Sequence, residues 1–164
     1  MKSFDWLLLV SRWLHLLSAI VAIGGAAFAL FALLPAAKSV LDDATHERLR
    51  EAVRGRWAKI VHTCIALLLI TGSLNFVLLA MPPKIDPLPY HPLFGVKFLA
   101  ALGIFYIAIG LASRSPVFAK LRAARAKWLK ILLILAVAVV LVSGALSQVR
   151  GWPKKSPPPA SAVG

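Results

Sequence analysis

Acidic side chains are scarce in this chain: six Asp and Glu stand against 19 Lys and Arg over 164 residues, a formal net charge of +13. Asp5 touches an apolar run only at its extreme start, and Asp42, Asp43, Glu47, Glu51 and Asp86 lie between runs. That placement excludes the paired carboxylates of acid–base hydrolysis. Cysteine is nearly absent, with Cys64 alone inside an apolar stretch, so no intramolecular disulfide can form and the redox compartment stays open. Met1 and Met81 are the only methionines and offer no thioether cluster. There is no Gly-rich phosphate loop and no nucleophilic triad.

Apolar sequence is what fills the chain. Hydrophobic residues make up 60% and the mean hydropathy is +0.82, well above the roughly 45–50% apolar share of soluble domains. Four runs reach the roughly 20 residues needed to cross a bilayer, at 6–34, 57–80, 92–112 and 128–149. The expected fold is therefore all-α, an integral membrane four-helix bundle with short loops over residues 1–150, followed by a disordered Pro-rich tail at 151–164. The first run is too long for the apolar region of a signal peptide and is interrupted by Arg12, so it is expected to remain.

The connections carry their own signals. Residues 38–59 open with Asp42 or Asp43 as a cap and continue with Leu49, Val53 and Trp57 at four-residue spacing. This predicts a helical extension lying against the membrane surface and leading into the second span. Pro82, Pro83, Pro87 and Pro89 predict a stiff, non-helical connector over 81–91. Lys and Arg concentrate in the first loop, 35–56, and the third, 113–127, whereas Lys84 alone marks the second. The positive-inside rule places both basic loops in the cytoplasm and both termini outside. Positive charge placed this way meets lipid head groups and sets topology, so the expected partner is the bilayer and no nucleic acid.

Against this background the polar residues within the spans stand out. Arg12 and His15 lie one turn apart in the first span, and Lys97 lies in the third. At about 1.5 Å per residue all fall in the outer half, as do Thr71, Asn75, Ser143, Ser147 and Gln148, with Tyr90 and His91 above them. His15 shares a helical stripe with Ser11, Ser18, Ala22 and Ala26, and Lys97 shares one with Ala101, Ile104 and Ala108. Cys64, Thr71 and Asn75 share a face from which His62 points away. No acidic residue inside the spans balances Arg12 and Lys97. Such cations either snorkel to the interface or meet an anionic guest. A haem would suit them, offering carboxylates to cations and iron to a neutral imidazole. His15, Arg12, Lys97, Ser18 and Asn75 are the candidate cofactor-binding residues, and His15, His62 and His91 the candidate metal ligands. His46 reads as solvated surface, and Trp6, Trp13, Trp57, Trp128 and Trp152 as interface anchors.

These residues also carry a family likeness. Residues 12–17 (Arg-Trp-Leu-His-Leu-Leu) with Gly24-Gly25, residues 56–59 leading into 69–75, and residues 90–98 (Tyr-His-Pro-Leu-Phe-Gly-Val-Lys-Phe) occur in one order over three quarters of the chain. In that order they resemble the copper-resistance D (CopD) family of bacterial inner-membrane proteins. The Leu-His of span one and the Lys of span three are also similar to the related HemJ-type family, four-span proteins associated with protoporphyrinogen oxidation. The likeness implies a bacterial inner-membrane location, haem b linked to His15, and Lys97 as a catalytic residue. The activity implied is that of a haem-dependent membrane oxidoreductase, protoporphyrinogen-oxidase-like, with a membrane redox partner; a homo-oligomer is left open. The copper branch implies instead a copper uptake or tolerance component, and the third alternative is a ligand-free accessory subunit.

Overall fold

The computed structural model describes residues 3–80 and 87–149. The expectations for 81–86 and for the tail 151–164 fall outside the described residues, as do the side chains of Tyr90, His91, Ser147 and Gln148. Helix α1 (Ser3–Phe28) passes through one π-helical turn (Ala29–Leu33) into α2 (Leu34–Val40). There follow α3 (Asp43–Ala80), α4 (Pro87–Ala112), a 3₁₀ turn (Pro116–Phe118), α5 (Ala119–Ala123) and α6 (Arg125–Val149). Four stretches, Trp6–Val40, Asp43–Val77, Phe94–Ala112 and Arg125–Ala145, are long and apolar enough to cross a membrane. α1 packs on α3, α3 on α4, α4 on α6, and α6 closes back on α1, which makes the expected all-α membrane bundle. The end that bears 41–56 and 113–127 is called the basic end below, and the other the terminal end.

Three boundaries differ from the sequence expectation. The first helix does not stop at Leu34 but runs to Val40, because the π turn at Ala29–Leu33 loosens the carbonyl spacing just ahead of Pro35. The Pro35 ring would otherwise meet the carbonyl four residues back. The helical extension after Asp43 is not a separate element: α3 is one unbroken helix of 38 residues, about 57 Å long. Its Leu49 and Val53 instead sit with Leu33, Leu34 and Ala37, the added turns of the first helix. Finally, α4 begins at Pro87, not at Pro92, which lies inside it. A helix's first turn has no intrahelical use for its N–H groups, so Pro87 and Pro89 fit there.

Polar contacts finish the basic end. Asp42 caps α3, its Oδ1 accepting from the Thr45 N–H at 3.0 Å, and Thr45, first through its side chain and then through its backbone, holds the Asp42 carboxyl below the usual carboxylate range. Glu47 pairs with Arg50 at 3.2 Å, while Glu51 takes both Arg54 and, at 2.9 Å, Arg114. Exposed pairs of this kind contribute about 0–1 kcal/mol each. In the α4–α5 turn, Arg122 donates to the Ser113 and Ser115 carbonyls at 3.0 and 2.7 Å.

Packing is densest in the basic half, where Ala26, Leu30, Ile107, Leu111, Leu121, Leu129 and Leu132 form the buried core. The α1–α3 seam is lined by small and polar residues: Ser11, Ser18, Cys64 and Thr71 are all buried. Trp57 is not an interface anchor. Its ring packs onto Gly25, in the space a side chain there would take. Trp6 and Trp13 do face outward. Gly24, by contrast, has nothing within 4 Å of a built Cβ. Gly25→Ala should therefore destabilise the protein by about 1–3 kcal/mol through overpacking, read as thermal unfolding in detergent. Gly24→Ala should be neutral or stabilising, because alanine is the better helix former. Equal losses for the two variants would contradict this packing.

Candidate functional site

Between the helices lies a cavity of about 720 Å³, within the roughly 300–1,000 Å³ typical of small-molecule and cofactor sites. Alanines hold it open: Ala19, Ala22 and Ala26 of α1 and Ala101 and Ala108 of α4 line it and carry nothing beyond Cβ to fill the gap. Arg12, His15, Asn75, Lys97 and Ser143 line its terminal half, and Arg54 and Arg125 its basic end. Among the described residues no Asp or Glu lines it. Leu16 of α1 and Val140 of α6 line it and are also exposed, so the cavity reaches the lipid-facing surface in its terminal half.

His15 is held in one orientation. Its Nδ1 lies 2.8 Å from Thr71 Oγ1, and that hydroxyl donates its own hydrogen to the Leu67 carbonyl at 2.6 Å. With its one hydrogen committed, Thr71 can only accept, so the imidazole donates from Nδ1–H and keeps its lone pair on Nε2. Ser11 ties the same turn, donating to the Thr71 carbonyl at 3.5 Å. Gly72 lets the ring lie close, since a Cβ there would stand 3.4 Å from His15 Cε1. An imidazole anchored through one nitrogen with the other free is the arrangement seen in metal-binding histidines.

Around it the charges are unbalanced. Lys97 is half-buried, its ammonium acts electrostatically on His15, and it makes no hydrogen bond or ion pair among the described residues. Asn75 Oδ1 is buried without a hydrogen-bond partner among those residues. Arg12 lines the cavity yet is exposed, which places its guanidinium where both the cavity and the head groups are in reach. Phe76 of α3 and Phe94 of α4 stack with ring centroids 4.1 Å apart and wall off the same half.

The fold thus brings together Arg12, His15, Asn75 and Lys97 from the candidate set. Ser18 is buried, but it sits on the stripe of Ser11 and Gly25 that meets α3 and does not line the cavity. His62 is exposed and turned back onto the Ala58 carbonyl at 2.6 Å, so it cannot face His15 as a second ligand. This removes both a His15–His62 haem pair and a copper site built on those two. Among the described residues no group of three His, Cys, Asp or Glu converges to hold a metal, and the His91 side chain is outside them. His46 is not solvated surface: it is half-buried in the α2–α3 cleft, and its Nε2 lacks a partner there.

Sequence reasoning missed Arg54 and Arg125, reading them only as topology charges. Helical spacing carried the signal. Arg54, Trp57, Val61 and Ile65 form one stripe, Arg125, Leu129, Leu132 and Ala136 another, and both stripes face the cavity. In ¹⁵N-histidine spectra at neutral pH, His15 should appear protonated at Nδ1 and bare at Nε2, and Thr71→Val should average the two nitrogens. An Nε2–H signature in the wild-type protein would refute the assignment. Comparison with family models, with curated proteins and with solved structures gave no match for this chain.

Proposed function

We propose that the terminal half of the cavity holds haem b or a closely related porphyrin, in a redox or porphyrin-handling role at a bacterial inner membrane. The observation that carries this reading is the contact of His15 Nδ1 with a Thr71 hydroxyl already spent on the Leu67 carbonyl, on a cavity wall whose other charged residues in that half, Arg12 and Lys97, have no ion pair among the described residues; that contact assigns the lone pair to Nε2. The donor set fits the group. His15, oriented by Thr71, would hold the iron through Nε2, and Arg12 and Lys97 would supply positive charge for the carboxylates. Phe76, Phe94 and the alanine stripes provide a flat apolar surround. A bound haem would supply one-electron chemistry. Lys97, besides binding a carboxylate, is the residue beside His15 able to give or take a proton at its Nζ, and this is its proposed catalytic role. Arg12, being exposed, serves at the rim.

The orientation follows the charge distribution, with the basic end in the cytoplasm and this site toward the outer face. The likeness to the CopD and HemJ-type families points the same way, through His15 and Lys97. Copper handling is the weaker alternative, because His62 is turned away from the site.

Detergent-purified protein, expressed with ample haem, should show a Soret band. His15→Ala should abolish or strongly weaken it while the protein still elutes as a folded species, and Lys97→Ala should lower haem occupancy. A colourless wild-type protein would overturn the reading in favour of snorkelling cations around a packing histidine. Metal accumulation that depends on His15 without a Soret band would favour copper.

A further inference from the structure

The basic end of the same cavity has no part in the porphyrin reading, yet it too is short of acid: Arg125 has no ion pair among the described residues and Arg54 must share Glu51. Arg54 and Arg125 both line it, and the Nε atom of each is buried without a hydrogen-bond partner among the described residues. Arg54 shares Glu51 with Arg114. Arg125 has no ion pair at all among the described residues; Arg50 and Arg54 stand near enough to repel it, and Glu47, already paired with Arg50, is its one attractive neighbour. Above these guanidiniums the wall is wholly apolar, formed by Val61, Leu111, Ala112, Leu129 and Leu132. Two cations below an apolar shaft, with no lining carboxylate among the described residues, form a receptor for an anionic amphiphile.

We propose that Arg54 and Arg125 bind the phosphate of an anionic phospholipid from the leaflet at the basic end, with one of its acyl chains lying in the basic half of the cavity. The length agrees. From Arg125 to Ala136 the lined part of α6 rises about 16 Å, half of a hydrocarbon core of about 30 Å, which is the reach of one leaflet's chain. Guanidinium is suited to the task, since its fork matches phosphate oxygens and it is less strongly hydrated than an ammonium. Charge-assisted contacts at a dry apolar boundary are stronger than the same contacts in water. The site is independent of the porphyrin: along α6, Arg125 and Ser143 are separated by about 27 Å, so the two guests do not compete for the same walls.

The test is thermal unfolding of the full-length protein in neutral detergent, titrated with phosphatidylglycerol, phosphatidylcholine or inorganic phosphate, together with native mass spectrometry of retained lipid. Phosphatidylglycerol should raise the melting temperature, and phosphatidylcholine and inorganic phosphate should not. The paired substitution Arg54→Gln, Arg125→Gln should raise the half-saturating phosphatidylglycerol concentration about tenfold or more, as expected for lost charge-assisted bonds, and should remove the retained lipid. Arg125→Lys should keep part of the effect. Arg48→Gln, on an exposed face, should change nothing. Equal shifts with phosphatidylcholine would overturn the charge argument, and an Arg125-dependent shift with inorganic phosphate alone would make this a free-anion site. If the glutamine pair does not fold, Arg125→Lys and the retained lipid of the wild-type protein decide: no anionic lipid retained sinks the proposal. His15→Ala must preserve the lipid effect and the glutamine pair must preserve the Soret band, so failure of one reading is distinguishable from failure of the other.

Discussion

Lipid gives apolar helices no hydrophobic reason to associate, so this bundle depends on how closely α1 can approach α3. The approach is made by small residues in register. Ser11 and Ser18 are buried in the seam, Gly25 receives the Trp57 ring, and Gly72 receives the edge of His15. Each contact is modest, a van der Waals fit or a hydrogen bond worth about 0.6 kcal/mol in a membrane. Together they orient the first helix so that one stripe serves packing and the adjacent stripe, Arg12, Leu16, Ala19 and Ile23, faces the interior.

The cavity follows from the same economy of side chains. Where α1 meets α3 closely, small residues let backbones touch; where α1 faces α4 and α6 across the bundle, alanines leave space. Leu111, Leu129 and Leu132 line the basic half of that space. In the terminal half it reaches the surface at Leu16 and Val140, so a guest can arrive from the bilayer and not only from water. Among the described residues the void has cations at both ends and no carboxylate on its walls; Lys97 and Arg125 have no ion pair there and Arg54 shares Glu51 with Arg114, a deficit that favours an anionic guest. Both readings of the cavity rest on that deficit, one through an imidazole with a fixed tautomer and the other through two guanidiniums.

Much of the fold was legible because membrane insertion leaves so few solutions. With no water to satisfy a backbone, apolar runs of this length must be helices. Phase arithmetic put Cys64, Thr71 and Asn75 on one face and His62 on nearly the opposite one but did not say which looks inward; Cys64 and Thr71 are buried and His62 is exposed. The errors were made where local rules compete with tertiary partners. The first apolar run ends at Leu34, but one π turn carries the helix past Pro35; Pro87 and Pro89 signal a connector, but a first turn accepts them. Leu49 and Val53 are an apolar stripe, and whether it lies on lipid or on a helix depends on a partner that exists only because α1 continues into α2.

The sequence by itself determined that the chain is helical, that four stretches are able to cross a membrane, and that cations there outnumber acids. These are consequences of composition and period, which need no neighbour. Only the tertiary structure decided which polar residues share a space. His15 and Thr71 are 56 positions apart, and their bond, which sets where the imidazole carries its proton, depends on the register between two helices. That register is set by the close fit of Trp57 on Gly25, a contact that neither local segment encodes alone.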